Sequence, residues 1–316
     1  MKVVVLDDYQ GVAMSATDWS PVRAIADVEV LGEHIDDDDR LASRLSGADV
    51  VVAMRERTPF GRDLLQRLPH LRLLVTTGPF NAAIDLAAAH DQGVTVCGTG
   101  GFIEPTVELT WALILGLLRH LPEEASSVRS GGWQTSVGGD LKGKQLGVVG
   151  LGRIGSRVAR VGLAFGMSVV AWSQNLATDR AERVGARPVT KAELFEGSDV
   201  VTVHLVLSDR SRRTVGAPEL QAMKPEAVLV NTSRGALVDE AALVDALSSG
   251  AIAGAALDVF DTEPLPKDHP LRSMPNVLAT PHLGYVSHKT YELFFREIVE
   301  DIVAFAQGSP IRTITP

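Results

Sequence analysis

The sequence predicts an α/β fold built from two doubly wound parallel-sheet domains. A length of 316 residues suits two domains, each large enough to bury its own core. The first hundred residues alternate short β-branched runs with helix-patterned segments, the signature of strands laid parallel with helices between them. The second half repeats that alternation. It opens with the run Gly150-Leu151-Gly152-Arg153-Ile154-Gly155, directly after the apolar strand 145–149.

In the first series, strands are expected at 3–6, 28–31, 50–54, 71–75 and 94–96. Gly98-Thr99-Gly100-Gly101 then interrupts the pattern ahead of a long helix over about 105–120, a natural place for a hinge. Gly131-Gly132 and Gly138-Gly139 mark a loop before the second series. Its six strands are expected at 146–149, 168–171, 200–203, 228–231, 252–257 and 277–279, the count of a complete dinucleotide-binding sheet. The closing segment 287–307 sets Leu293, Phe294, Ile298, Val299, Ile302, Val303 and Phe305 mostly on one helical face and ends at Gly308. With no strand of its own, this helix is expected to pack back on the first domain. The domain boundaries are therefore 1–99 with 286–316, a discontinuous domain, and 100–285, inserted into it.

Composition excludes several classes of partner. The charge of −9 comes from 30 basic and 39 acidic residues, and no stretch gathers Lys and Arg into a nucleic-acid footprint. The acidic run 36–39 lacks accompanying ligands and reads as a solvated helix start, so no metal is expected. Cys97 is the single cysteine, which rules out an intrachain disulfide and a thiolate-rich zinc site and suits a reducing, cytoplasmic setting. Its apolar neighbours make it a small core residue. The apolar run 109–118 is shorter than the roughly 20 residues a membrane helix needs, and no membrane association is expected.

The chemistry is sought where strands end, since ligands of open α/β sheets bind beyond the carboxyl ends of the strands. The glycine spacing at Gly150, Gly152 and Gly155 permits a tight strand-to-helix turn whose amides receive a pyrophosphate. Three consecutive later strands are followed by Arg234, Glu263 and His282, far apart in sequence and delivered to one rim. A guanidinium can fork onto a substrate carboxylate, and an imidazole can exchange a proton with a carbonyl oxygen as hydride reaches its carbon. A carboxylate beside that imidazole fixes its tautomer. Together they form a set for reducing a 2-keto acid with a nicotinamide cofactor.

At these residues the chain resembles the D-isomer-specific 2-hydroxyacid dehydrogenases. The resemblance runs through GLGRIG, NTSRGALVDE, AALDVFDTEP and TPHLG, in order, over nearly the whole chain. It implies a Rossmann cofactor domain inserted into a flavodoxin-like substrate domain, and a homodimer held largely through the cofactor domains. It also implies Arg234 as substrate anchor, Glu263 as partner of the acid/base, and His282 as the acid/base. Carried over in the same way, Asp258 contacts the nicotinamide carboxamide, Thr232 and Ser233 line the nicotinamide side, and Thr106 reaches the cofactor. His204, Leu205 and Val206 border the adenosine; Arg153, Ile154 and Gly284 complete the cofactor contacts. In the first domain, Arg55 and Gly78 follow strands and are candidates for substrate binding, Arg55 as a second anion anchor or as a surface residue.

The chain departs from the family pattern at two places. Where a Gly-x-Gly loop is common, it reads Gly78-Pro79-Phe80-Asn81; proline removes an amide donor, and phenylalanine narrows the pocket or lines it with apolar surface. About 20 residues past the fingerprint, where an acidic residue favours NAD, stands Ser173. With no carboxylate to repel a 2′-phosphate, and with Arg153 and Arg180 nearby in sequence, both NAD(H) and NADP(H) are expected to serve, with a lean to NADP(H). The expected activity is NAD(P)-dependent reduction of a small 2-keto acid, of the glyoxylate or hydroxypyruvate kind, or the reverse oxidation. Two alternatives remain. Phosphoglycerate dehydrogenase is the enzymatic one, although its longer forms carry a regulatory domain for which the chain, ending at Pro316, leaves no room. The other is a nucleotide-sensing, corepressor-like scaffold that keeps the same three residues.

Overall fold

A computed structural model describes residues 1–316, and the chain separates into two compact units, Met1–Phe102 with Val286–Pro316, and Ile103–Tyr285. The first unit holds five strands: β1 (Lys2–Val5), β2 (Asp27–Val30), β3 (Val50–Ala53), β4 (Leu73–Thr76) and β5 (Thr95–Gly98). They pair in parallel in the order β2-β1-β3-β4-β5, the flavodoxin-like winding, whose topological switch lies between β1 and β3. Val50, Val51, Val52 and Ala53 are all buried, as expected of a strand covered on both faces.

The helix His288–Ala306 belongs to this unit, although it follows the second unit in sequence. Ser287 caps it by accepting from the Thr290 amide at 3.3 Å. Phe294, Ile298, Val299 and Ile302 are buried, but so are Tyr291 and Phe295, while Leu293, Val303 and Phe305 are only half-buried. The inward face is thus rotated from the one read off the sequence, because aromatic contacts decide it: Phe295 packs 6.3 Å from Trp19, and Tyr291 meets Phe295 edge-on at 5.9 Å.

The second unit holds β6 (Gln145–Val149), β7 (Ser168–Trp172), β8 (Arg187–Pro188), β9 (Val200–Val203), β10 (Val228–Asn231), β11 (Gly254–Leu257) and β12 (Val277–Ala279). All pair in parallel in the order β12-β11-β10-β9-β6-β7-β8. This is the Rossmann order with one further strand, and its switch lies between β6 and β9. The sheet has seven strands where six were expected. The strand the sequence did not announce is β8, two residues long with a proline, tolerated because it sits at the sheet edge. Period-2 alternation divides the core: Val149, Val203, Leu229 and Leu257 pack on one face, and Leu146, Val148, Val230 and Ala256 on the other. No helix in the molecule is long and apolar enough to cross a membrane.

Candidate active site

The fingerprint forms the turn from β6 into the helix Arg153–Ala164, and each glycine answers a different steric demand. Gly150 sits at φ +100°, and a Cβ there would lie 2.8 Å from the His204 carbonyl. Gly155 abuts the Gly150 carbonyl so closely that any side chain would overlap it. Gly152 is the helix N-cap, its helix start carries no side-chain cap, and nothing lies within 4 Å of a Cβ built upon it. A backbone turn with two tight packings around one open position fits a pyrophosphate drawn against free helix amides.

Around this turn the structure gathers several of the expected cofactor residues. His204 and Leu205 follow β9 and pack on Gly150, and the Ser233 hydroxyl donates to the Leu205 carbonyl at 2.7 Å. The His204 Nε2 pairs with the Thr202 hydroxyl at 2.9 Å, and burial pushes its imidazole down to about 3, so the ring is neutral at ordinary pH. Val206 is 86% exposed. Ser173 follows β7 and is half-buried, Ile154 is half-buried, and Arg153 and Arg180 are exposed.

A second group forms where β10, β11 and β12 end side by side. Asp258 immediately follows β11 and is fully buried. Its Oδ1 accepts from the Thr280 hydroxyl at 2.6 Å and the Leu283 amide at 2.7 Å, and its Oδ2 from the Gly284 amide at 2.8 Å. Burial pushes this carboxyl up, while those donors and the nearby His282 charge pull it down. Asp258 thus holds the turn that bears His282, an arrangement that motif spacing did not reveal. Thr106 donates to the Gly284 carbonyl at 2.8 Å, which ties the helix Glu104–Leu118 to the same turn. Thr232 is buried, and its hydroxyl pairs at 2.8 Å with Thr110, one helical turn beyond Thr106.

His282 adopts a left-handed backbone, φ +54°, a conformation that costs of order 1–3 kcal/mol and recurs at functional sites. Its Nδ1 lies 2.6 Å from Glu263 Oε2, and Glu263 Oε1 accepts from the Phe260 amide at 2.9 Å. An ionised carboxylate only accepts, so the Nδ1 carries the proton and Nε2 is left as the exchanging atom. The Tyr285 ring meets the His282 ring edge-on at 5.6 Å. Arg234 follows β10, with its Nη1 donating to the Ser233 carbonyl at 2.7 Å and its own carbonyl accepting from Asn231 at 2.9 Å. Next to it, a Cβ on Gly235 would overlap the Phe260 carbonyl, so this glycine lets the Glu263 loop lie directly on the Arg234 loop. The sequence showed Gly235 within its motif but not what packs on it.

In the first unit, Arg55 follows β3 at φ +51°, with its Nη1 donating to the Thr77 carbonyl at 3.0 Å. Gly78 follows β4 at φ +86°, and any Cβ there would overlap the Arg55 guanidinium. The Gly78 amide is already bonded to the Thr99 hydroxyl at 2.7 Å. Its glycine is thus explained by Arg55, and its amide is engaged within the unit. Asn81 is buried and ties the loop to the Arg55 carbonyl at 2.6 Å, whereas Phe80 is 74% exposed. Cys97 is fully buried, and that burial pushes its thiol up to about 12.

The family profile described as D-isomer specific 2-hydroxyacid dehydrogenase, NAD binding domain, matches residues 111–284, more than half of the chain. A glyoxylate reductase of Aeropyrum pernix is 41% identical over 256 residues, 78% of this chain and 76% of that protein. The chain belongs to the D-isomer-specific 2-hydroxyacid dehydrogenase family. It is therefore an oxidoreductase of the class acting on CH–OH donors, and it carries an NAD-binding domain. A D-3-phosphoglycerate dehydrogenase of Bacillus subtilis is 38% identical over 263 residues, 82% of this chain, but the match spans only 50% of that longer protein. Among solved structures, a phosphoglycerate oxidoreductase from Vibrio cholerae superposes with a TM-score of 0.93 at 39% identity, covering 98% of this chain and 100% of that one.

Proposed function

We propose that the chain reduces a small 2-keto acid of the glyoxylate or hydroxypyruvate kind, with His282 as acid/base, Glu263 as its partner and Arg234 as carboxylate anchor. The observation that carries this reading is the 2.6 Å bond between His282 Nδ1 and Glu263 Oε2, on a rim shared with Arg234. The bound nicotinamide supplies the hydride. Gly150, Gly152, Arg153, Ile154 and Gly155 would hold its pyrophosphate, His204, Leu205 and Val206 its adenosine, and Thr106, Thr232, Ser233, Asp258 and Gly284 the nicotinamide end. Nε2 of His282 delivers a proton to the carbonyl oxygen as hydride arrives, and the Glu263 carboxylate stabilises the charged ring before transfer. The Arg234 guanidinium forks onto the substrate carboxylate and orients the carbonyl. In the first unit, Arg55 is proposed as an anion anchor: held by the Thr77 carbonyl and the Gly78 notch, it loses little side-chain freedom on binding.

The cofactor reading rests on Ser173. A serine just past the end of β7 lacks the carboxylate that repels a 2′-phosphate; Arg153, in the fingerprint turn, and Arg180, seven residues after Ser173, are both exposed. Both NADH and NADPH are expected to serve, with NADPH slightly favoured. Steady-state kinetics with glyoxylate, hydroxypyruvate, pyruvate and 3-phosphohydroxypyruvate, each with both cofactors, tests substrate and cofactor together. Activity with the two small acids and kcat/KM values for the cofactors within about tenfold support the proposal. Inactivity across the panel, or a hundredfold preference for NADH, overturns the corresponding part.

The protein is also proposed to act in the cytoplasm as a homodimer joined through residues 121–139. The helix Leu121–Arg129 buries none of its residues, and Leu121, Val128, Trp133 and Val137 are 54, 54, 73 and 95% exposed, more apolar surface than one short segment ordinarily leaves in water. Trp133→Glu is expected to shift sedimentation from dimer to monomer; a monomeric parent protein would refute the assignment.

A further inference from the structure

The motif that supplies Arg234 continues into Asp239 and Glu240, to which the proposed reaction assigns no part. Asp239 caps the helix Glu240–Ser249 by accepting from the Ala242 amide at 3.2 Å. Glu240, the first residue of that helix, reaches away from it. Its Oε2 accepts from the Asp261 amide at 3.1 Å, and its Oε1 lies 3.1 Å from His269 Nε2. The Leu271 amide donates to His269 Nδ1 at 3.3 Å, so the ring proton resides on Nε2 and is donated to Glu240 even when the ring is neutral. One half-buried carboxylate therefore bridges two points of the segment 258–272, eight residues apart.

That segment bears Glu263. Its far half is braced separately by Arg272, whose Nε donates to the Pro266 carbonyl at 2.7 Å and whose Nη2 donates to the Leu265 carbonyl. Its near half has Asp261 tied to Glu240 two residues before Glu263, next to the Phe260 amide that bonds Glu263 Oε1. Phe260 is in turn the residue seated on Gly235. We propose that Glu240 is a positioning residue for the acid/base pair: by clamping the Asp261 amide and the His269 ring, its carboxylate holds Glu263 at hydrogen-bond distance from His282. This rests on the roles proposed above for Glu263 and His282. A first-turn carboxylate also favours its own helix through the dipole. That contribution concerns stability alone and does not depend on Glu263.

The two are separated by Glu240→Gln, measured alone and combined with Glu263→Gln. A glutamine has one acceptor oxygen, so the second donor would face an amide NH2 and one side of the clamp opens. With glyoxylate and NADPH, Glu240→Gln is expected to lower kcat about tenfold, since small misplacements of a reacting group are costly. The NADPH dissociation constant, read by fluorescence, should stay within about twofold of the parent's. In the Glu263→Gln background the same substitution should change kcat less than about twofold, because the residue through which it acts is already lost. Equal losses in both backgrounds, or an unchanged kcat in the single variant, overturn the positioning role while leaving the assignment of Glu263 intact. An unchanged kcat in Glu263→Gln alone overturns that assignment and this proposal with it.

Discussion

Gly152 and Gly78 both follow parallel strands of doubly wound sheets, one in each unit, and they do opposite things. At Gly152 a Cβ would meet nothing within 4 Å, and the absent side chain leaves a helix start open. At Gly78 the absent side chain is already filled by the Arg55 guanidinium, and the amide is bonded to Thr99. One glycine leaves open space at a helix start, and the other makes room for a side chain of the same chain. A glycine after a strand therefore carries no fixed meaning; its neighbours assign it. The two units differ in the same way in what they carry: the second bears the proposed acid/base pair and the fingerprint, and the first bears Arg55, held by the Thr77 carbonyl.

The sharpest test of that division is His282→Ala. It is expected to lower kcat by about a hundredfold or more, the range of a general acid/base, with cofactor binding nearly unchanged. Unchanged turnover would remove the chemistry from the second unit's rim. Smaller effects separate the two glycines. Gly152→Ala, with backbone angles open to alanine, should leave the melting temperature almost unaltered and weaken NADPH binding about tenfold, since it fills the approach to the helix amides. Gly78→Ala meets both a left-handed backbone and the Arg55 guanidinium, so it should destabilise the protein by about 1–3 kcal/mol. It should also raise the KM for the keto acid and leave NADPH binding alone. If the two variants proved alike in melting and binding, the contrast drawn from their surroundings would fail.

Much of this was legible from residue order. Strands such as 200–203 and 228–231 announce themselves because a strand buried on both faces is apolar at nearly every position, here all but Thr202 and Asn231, and the three residues of interest follow strand ends that such runs locate. β8 was not legible, since two residues at an edge leave no periodic trace. The inward face of the last helix was misjudged at Leu293, Val303 and Phe305, because helical spacing defines a stripe while Trp19, 276 residues from Phe295, decides where it faces. Asp258 illustrates the site. Its motif marked it as important, but its three bonds run to a turn more than twenty residues away, and no local pattern encodes them.

By itself, then, the sequence determined two parallel α/β series, a dinucleotide turn between β6 and its helix, and an Arg, a Glu and a His after three successive strands. Those features follow from hydrophobic period and glycine spacing, which act over a few residues. The tertiary structure alone decided that His282 bonds Glu263 through Nδ1, that Asp258 secures the histidine's turn, that Gly78 accommodates Arg55, and that Glu240 spans the loop beneath Glu263. Each is a directional contact of a few ångströms between residues that chain order separates, and such contacts exist only once the sheets have set their strand ends side by side.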